Sequence, residues 1–212
     1  MGVTERRARA KDDLRRRILD TAAEMFLEQG YENVSMRKIA ERIEYTPATI
    51  YLHFRDKVDL VSNLCTATFA ELDGRLQEIR DLGLAPLEML RKSLRAYIDF
   101  GLAHPSHYVF VFCTPSSIFR KMDRSSWEQI HACAMGNFER LRAGIRACME
   151  AGTAARGDVE LTAQRTWLMV HGITAGLVVC TEFPFVDREV LIEHGLDGIV
   201  GSLAGAPRRQ GC

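Results

Sequence analysis

The sequence predicts an all-α protein, and three observations carry that prediction. Apolar residues recur at helical spacing along almost the whole chain, and alternating strand patterns are nearly absent. The few prolines, at 47, 86, 105, 115, 184 and 207, stand mostly where helices start or stop. Leu14, Ile18, Ala22 and Phe26 step by four, with Met25 alongside, and Gly30 ends that first helix. Ser35 is placed to cap a short helix over 35–43 whose inward face is Ile39, Ala40 and Ile43. Thr46-Pro47 opens another over 46–54, a hydroxyl cap followed by proline at the first helical position, where its missing N–H costs nothing. Ile50 and Phe54 face inward there.

Asp56, with Asp59 three residues on, starts the next helix, whose apolar face runs through Val61, Cys65, Thr68, Phe69, Leu72, Leu76 and Ile79. Further helices read as roughly 86–103, 105–113, 125–151, 158–180 and 187–203, which makes about nine in all. The expected organisation is a DNA-binding region over 1–55, a regulatory and dimerisation region over 56–203, and a frayed tail over 204–212.

Composition excludes several classes. Apolar residues are 47% of the chain and charged residues 26%, so it can bury a core and is not disordered. No apolar run reaches the ~20 residues needed to span a bilayer. The arginine-rich start has no apolar segment behind it, so no secretory signal, no membrane partner and a cytoplasmic setting are expected. The cysteines at 65, 113, 133, 148, 180 and 212 match no metal or redox spacing, and most are expected to behave as small buried hydrophobes. His104 and His107 have metal-like spacing but no companion ligand, and no metal and no cofactor are expected. No GxSxG, HExxH, P-loop or GxGxxG string is present, which argues against an enzyme.

Charge is more informative in its distribution than in its sum, since 28 basic residues balance 28 acidic ones. Arg6, Arg7, Arg9, Lys11, Arg15, Arg16 and Arg17 face only Glu5, Asp12 and Asp13 in the first 17 residues. That suits a protein touching a polyanion with one end, the plainer alternative being a solvated leader. The two short helices, about three residues apart, have the size of a helix-turn-helix whose second helix enters the major groove; an ordinary helical hairpin has the same spacing. Thr49, Tyr51 and His53 are its expected exposed residues. Lys57 places a cation in the first turn of a helix, against the macrodipole, which a bound phosphate would reverse.

The stretch Ile18-Leu-Asp-Thr-Ala-Ala-Glu-Met-Phe-Leu-Glu-Gln-Gly-Tyr31, then Ser35-Met-Arg-Lys-Ile-Ala40 and Thr46-Pro-Ala-Thr-Ile-Tyr-Leu-His-Phe54, resembles the DNA-binding region of the TetR family of bacterial transcriptional regulators. The resemblance implies that Arg37, Pro47, Ala48 and Thr49 approach base edges, that Tyr51, His53 and Lys57 hold phosphates, and that Lys38 and Thr46 belong to the same DNA-binding set. Where the family often carries Gly-Val in the turn, this chain has Glu44-Tyr45. A non-glycine residue in a left-handed turn costs on the order of 1 kcal/mol, and apolar contact by Tyr45 is the expected compensation.

Later in the chain, Ala103-His-Pro-Ser-His-Tyr108 and Trp167-Leu-Met-Val-His-Gly172 look like the regulatory domain of a TetR subgroup named for a Trp-His-Gly signature. That implies a homodimer through the last two helices and an effector pocket in the central bundle. Glycines in mid-helix cost ~1 kcal/mol each relative to alanine, so Gly172 and Gly176, with Gly195 and Gly198 on the last helix, mark the expected dimer interface. The expected ligand-binding residues are Tyr97, Phe100, Tyr108, Phe112, Trp127, His131, Met135, Phe138, Trp167 and His171, aromatic bulk with isolated polar tips. Taken singly, each is more simply read as plain core; the mixture of aromatic bulk and polar tips is what favours a pocket. The expected function is a dimeric transcriptional regulator, most simply a repressor, that binds a palindromic double-stranded DNA operator and is released by a small apolar or aromatic effector. A structural or adaptor bundle without DNA binding is the competing reading, and a small-molecule enzyme ranks last.

Overall fold

The computed structural model describes residues 2–114, 119 and 122–204; Cys212 and the expected tail after Ala204 lie outside the described residues. Among the described residues there are nine α-helices and no strand. They are α1 (Val3–Gln29), α2 (Met36–Arg42), α3 (Pro47–Tyr51), α4 (Lys57–Asp81), α5 (Pro86–Ala103), α6 (Pro105–Tyr108), α7 (Arg124–Glu150), α8 (Val159–Val179) and α9 (Arg188–Leu203). A 3-10 turn covers Tyr31–Asn33, and a π-turn, Val109–Cys113, continues from α6.

The three expected caps form: Ser35 accepts the Lys38 N–H, Thr46 that of Thr49 and Asp56 that of Asp59. Asp158 and Asp187, not singled out from the sequence, cap α8 and α9 by accepting the Leu161 and Val190 N–H groups. Asp59 answers by accepting the Arg55 N–H at 2.8 Å, so two otherwise orphaned donors at the start of α4 are satisfied reciprocally. Two boundaries differ from expectation. The helix expected over 46–54 closes after Tyr51, and the chain reaches Phe54 through turn bonds from His53 and Phe54 N–H to the Ile50 carbonyl. The helix expected over 105–113 loosens into the π-turn after one α-turn.

The chain divides into two compact units, and the division falls inside α4. The first takes residues up to Thr68 together with Ser106–His131; the second takes Phe69–Pro105 and the chain from Ala132 on.

In the first unit the inward faces of α1 to α4 meet as expected: Ile18, Ala22, Phe26, Ile39, Ile43, Ile50, Phe54 and Val61 are all buried. Burying each of these side chains other than Ala22 contributes about 1.5–3 kcal/mol. Phe110 of the π-turn stacks on Phe26 of α1 with ring centroids 4.9 Å apart. His107 reaches Asp20 of α1 at 3.1 Å, so the inserted segment is fastened to α1 by both an apolar and a polar contact.

In the second unit α5 packs on both α8 and α9, and α8 on α9. Arg91 of α5 pairs with Glu193 and Asp197 of α9, and Arg95 with Glu189 and Glu193. Gly195 of α9 leaves room for Ile173 of α8, since a Cβ there would lie 2.6 Å from Ile173 Cδ1. Cys65 and Cys148 are buried as expected, and burial pushes the Cys65 thiol up to about 12. Cys133 is half-buried, and Cys113 and Cys180 are exposed because each stands at the end of its element, so fewer of the described cysteines are buried than the expected majority.

Candidate nucleic-acid interface and effector region

Glu44 carries the turn between α2 and α3 at φ 62°, the left-handed conformation expected there. Its N–H donates to the Glu41 carbonyl and the next N–H, of Tyr45, to Ala40, which satisfies the carbonyls at the end of α2. Tyr45 does not compensate by burial; its ring is exposed beside the start of α3. Thr46 caps α3 while its hydroxyl shares a 3.0 Å hydrogen bond with that of Thr49. Pro47, Ala48 and Tyr51 are exposed, and so is Leu52, which periodicity alone did not single out. Thr49 and His53 are partly buried rather than fully outward. Arg37 is exposed on α2 and bonds Glu41 one turn on at 2.9 Å. Lys38 folds back to the Asn33 carbonyl at 2.8 Å.

Lys57 resolves its conflict with the α4 dipole inside the protein. Its ammonium donates to the Tyr31 carbonyl and lies 3.9 Å from the centroid of the Tyr31 ring. A carbonyl and an aromatic face together supply the negative potential that the sequence suggested a phosphate would supply. Arg15 is the residue that sequence reasoning missed. It donates to the His53 carbonyl at 3.1 Å and to Asn63 Oδ1, with its guanidinium 4.5 Å from the Phe54 ring centroid. It therefore ties α1 to the end of α3 and to α4; only its i, i+3 relation to Ile18 of the core face hinted at this. Burial first, then the charges of Lys11 and Arg15, push His53 below the ordinary imidazole range, so it is neutral at pH 7. Its Nδ1 is buried without a partner among the described residues.

The ten expected effector residues divide between the units. In the first, Tyr108 is buried and lies 5.1 Å from Phe112, while Trp127 and His131 pair at 5.9 Å on an exposed stretch of α7. In the second, Tyr97 Oη and His171 Nδ1 lie 3.1 Å apart and Trp167 stacks on His171 at 5.0 Å. Burial pushes His171 below its ordinary range, so the group bonded to Tyr97 is a neutral imidazole. Phe100 is buried against His104 and under Arg75. Phe138 is half-buried with Arg142 near its ring. Trp127, His131 and Met135 face outward instead of being enclosed, because Ile130 is the one buried residue of the first half of α7. His104 and His107 have separate partners, Glu71 and Arg75 for the first, Asp20 and Thr68 for the second. Among the described residues no three metal-ligating side chains converge.

On α8, Leu161, Leu168, Gly172 and Val179 form one exposed stripe, and Val190, His194, Gly198 and Gly201 form another on α9. Nothing lies within 4 Å of a Cβ built at Gly172, Gly198 or Gly201. Gly176 differs, with the Phe185 ring 3.9 Å away, and Gly195 faces Ile173 of its own chain.

Two family models match. Residues 18–64 match the bacterial regulatory proteins of the tetR family, and residues 90–199, about half the chain, match the tetracyclin repressor-like C-terminal domain. The chain belongs to the TetR family. TetR-family proteins are transcriptional regulators, not enzymes. The chain is similar to the HTH-type transcriptional regulator SAR2658 of Staphylococcus aureus (strain MRSA252), 32% identical over 90 residues, 42% of this chain and 49% of that protein. It is similar to the HTH-type transcriptional repressor KstR of Rhodococcus jostii (strain RHA1), 33% identical over 75 residues, 35% of each chain. These matches span about half or less of the curated relatives' lengths. Among solved structures, that of AibR in complex with isovaleryl coenzyme A and operator DNA superposes with a TM-score of 0.70 at 24% identity, covering 89% of this chain and 97% of AibR. No helix among the described residues is long and apolar enough to cross a membrane.

Proposed function

We propose that this TetR-family regulator acts as a cytoplasmic homodimeric repressor, binding a palindromic operator and leaving it when a small apolar or aromatic effector binds. The observation that carries the reading is the capped, strained α2–α3 turn with Arg37, Pro47, Ala48, Thr49 and Tyr51 on and beside the short second helix. Residues 1–55 are assigned to DNA and 56–203 to effector and dimerisation. Pro47 and Ala48 offer no side-chain donor, so base readout rests on methyl contacts with Arg37 and Thr49. Tyr51, with neutral His53, is assigned to the phosphate backbone, together with Lys38 beside the α2 cap. Lys57 is assigned first to holding the Tyr31 turn, since its charge is engaged there.

The exposed stripes of α8 and α9 support the homodimer, with Gly172 and Gly198 as the points of closest approach across it. Exposed apolar residues gathered on neighbouring helices, as Leu161, Leu168, Val179 and Val190 are, are a common mark of an interface. The Trp167, His171 and Gly172 string supports kinship with the Trp-His-Gly subgroup. Effector binding is assigned to the second unit around Tyr97, Trp167 and His171. Asn137 Oδ1 and Thr166 Oγ1 are buried there without partners among the described residues, and a ligand's polar group would relieve that cost of ~1–3 kcal/mol each. A ligand favouring one packing of the bundle shifts α4, which runs through the division between the units. A coupling of ~1–3 kcal/mol gives a 5–150-fold change in operator affinity.

The test is binding of the purified chain to DNA from upstream of its own gene at low salt. Binding is expected, with Arg37→Ala changing sequence preference by about 1–3 kcal/mol at one position. Absence of any binding overturns the reading. Fatty-acyl-coenzyme A esters and free aromatic acids are the first effectors to try for release.

A further inference from the structure

The basic start of the chain is a helix rather than a loose leader. Helix α1 begins at Val3, and Glu5 accepts the Gly2 N–H at 3.0 Å where the helix opens. Residues 4–13 are all exposed, so about two and a half turns stand clear of the packed unit. The charges on those turns are sorted. Glu5–Arg9, Asp12–Arg16 and Asp13–Arg17 are spaced i, i+4, so each acid has a base one turn on. Arg7, Lys11 and Arg15 form a separate i, i+4, i+8 row, and no carboxylate pairs with Arg7 or Lys11 among the described residues.

Arg15 shows where that row points. It contacts the His53 carbonyl at the end of the reading-helix turn and Asn63 on α4. Lys11, one turn earlier on the same face, is near enough for its charge to be felt at His53. The unpaired cations therefore continue the side of α1 that borders the reading helix.

We propose that the Arg7–Lys11 face of α1 is a second DNA-contacting surface, a short rail for the phosphates of one strand just outside the helix-turn-helix. The ~6 Å rise between the two residues lets their long side chains reach neighbouring phosphates. The surface rests on the DNA-binding reading above and extends its footprint. Because phosphate contacts carry no sequence information, it raises affinity without altering preference.

The experiment uses the full chain and a mixed-sequence duplex of about 40 base pairs, with affinity measured by fluorescence anisotropy between roughly 50 and 200 mM NaCl. Arg7→Gln/Lys11→Gln should flatten the slope of log K against log salt by about two units per bound protomer. The same number of charges removed from the far side, as Arg9→Gln/Arg16→Gln, should leave the slope close to wild type. Circular dichroism confirms that α1 stays helical in both. An unchanged slope in Arg7→Gln/Lys11→Gln, or an equal loss in the far-side variant, overturns the rail while leaving helix-turn-helix binding intact. Failure of the wild-type chain to bind either this duplex or its own upstream DNA overturns the DNA-binding reading, and the rail with it.

Discussion

Glu44 and Lys57 each stand where a local rule disfavours them, and the fold treats the two differently. Lys57 opposes the α4 dipole, but the Tyr31 carbonyl and ring take up its charge, so the conflict is removed. Glu44 keeps its left-handed backbone, and exposed Tyr45 does not offset the strain. Glu44→Gly should therefore stabilise the chain by up to about 1 kcal/mol, less whatever glycine adds to unfolded-chain entropy. Urea denaturation reads this as a higher midpoint at unchanged slope. An unaltered or lower midpoint would show that the turn stores no recoverable strain.

Among the elements, the contact between α8 and α9 separates two glycines that look alike in sequence. Gly195 meets Ile173 within the chain, whereas Gly198, three residues on, has open space. Gly195→Leu should overpack that crossing and destabilise the fold by about 1–3 kcal/mol. Thermal unfolding checks it, and a variant as stable as wild type would mean that Ile173 simply moves aside. Both Arg91 and Arg95 cross to α9, so the α5 side of that helix is held by charge while on its α8 side the Ile173 side chain packs onto Gly195.

For the whole molecule, the exposed stripes on α8 and α9 leave Leu161, Leu168, Val179 and Val190 uncovered. If they pair with a second copy, Gly198→Leu should convert the dimer to a folded monomer with nearly unchanged helix content. Operator binding should fall with it, since a palindrome is read by two half-sites. Light scattering coupled to size exclusion reads the mass directly. A variant that remains dimeric and binds normally places the interface elsewhere.

Most of the helices, the caps at Ser35, Thr46 and Asp56, the α2–α3 spacing and the left-handed turn were legible in the chain, because each depends on residues within a turn or two of one another. Ser35, Thr46, Asp56, Asp158 and Asp187 cap their helices as local chemistry requires. The family, too, was legible, since the order and spacing of the first helices carry it. What the tertiary structure alone decided involves residues far apart in sequence. Lys57 answers to Tyr31, Gly195 to Ile173, and Arg15 to His53 and Asn63. The segment 106–131 joins the unit containing the helix-turn-helix although it follows α5 in the chain. Periodicity says which face of a helix is apolar, but not which element covers it. That choice belongs to packing, and packing left the stretch of α7 with Trp127 and Met135, and the Gly172 and Gly198 faces, uncovered.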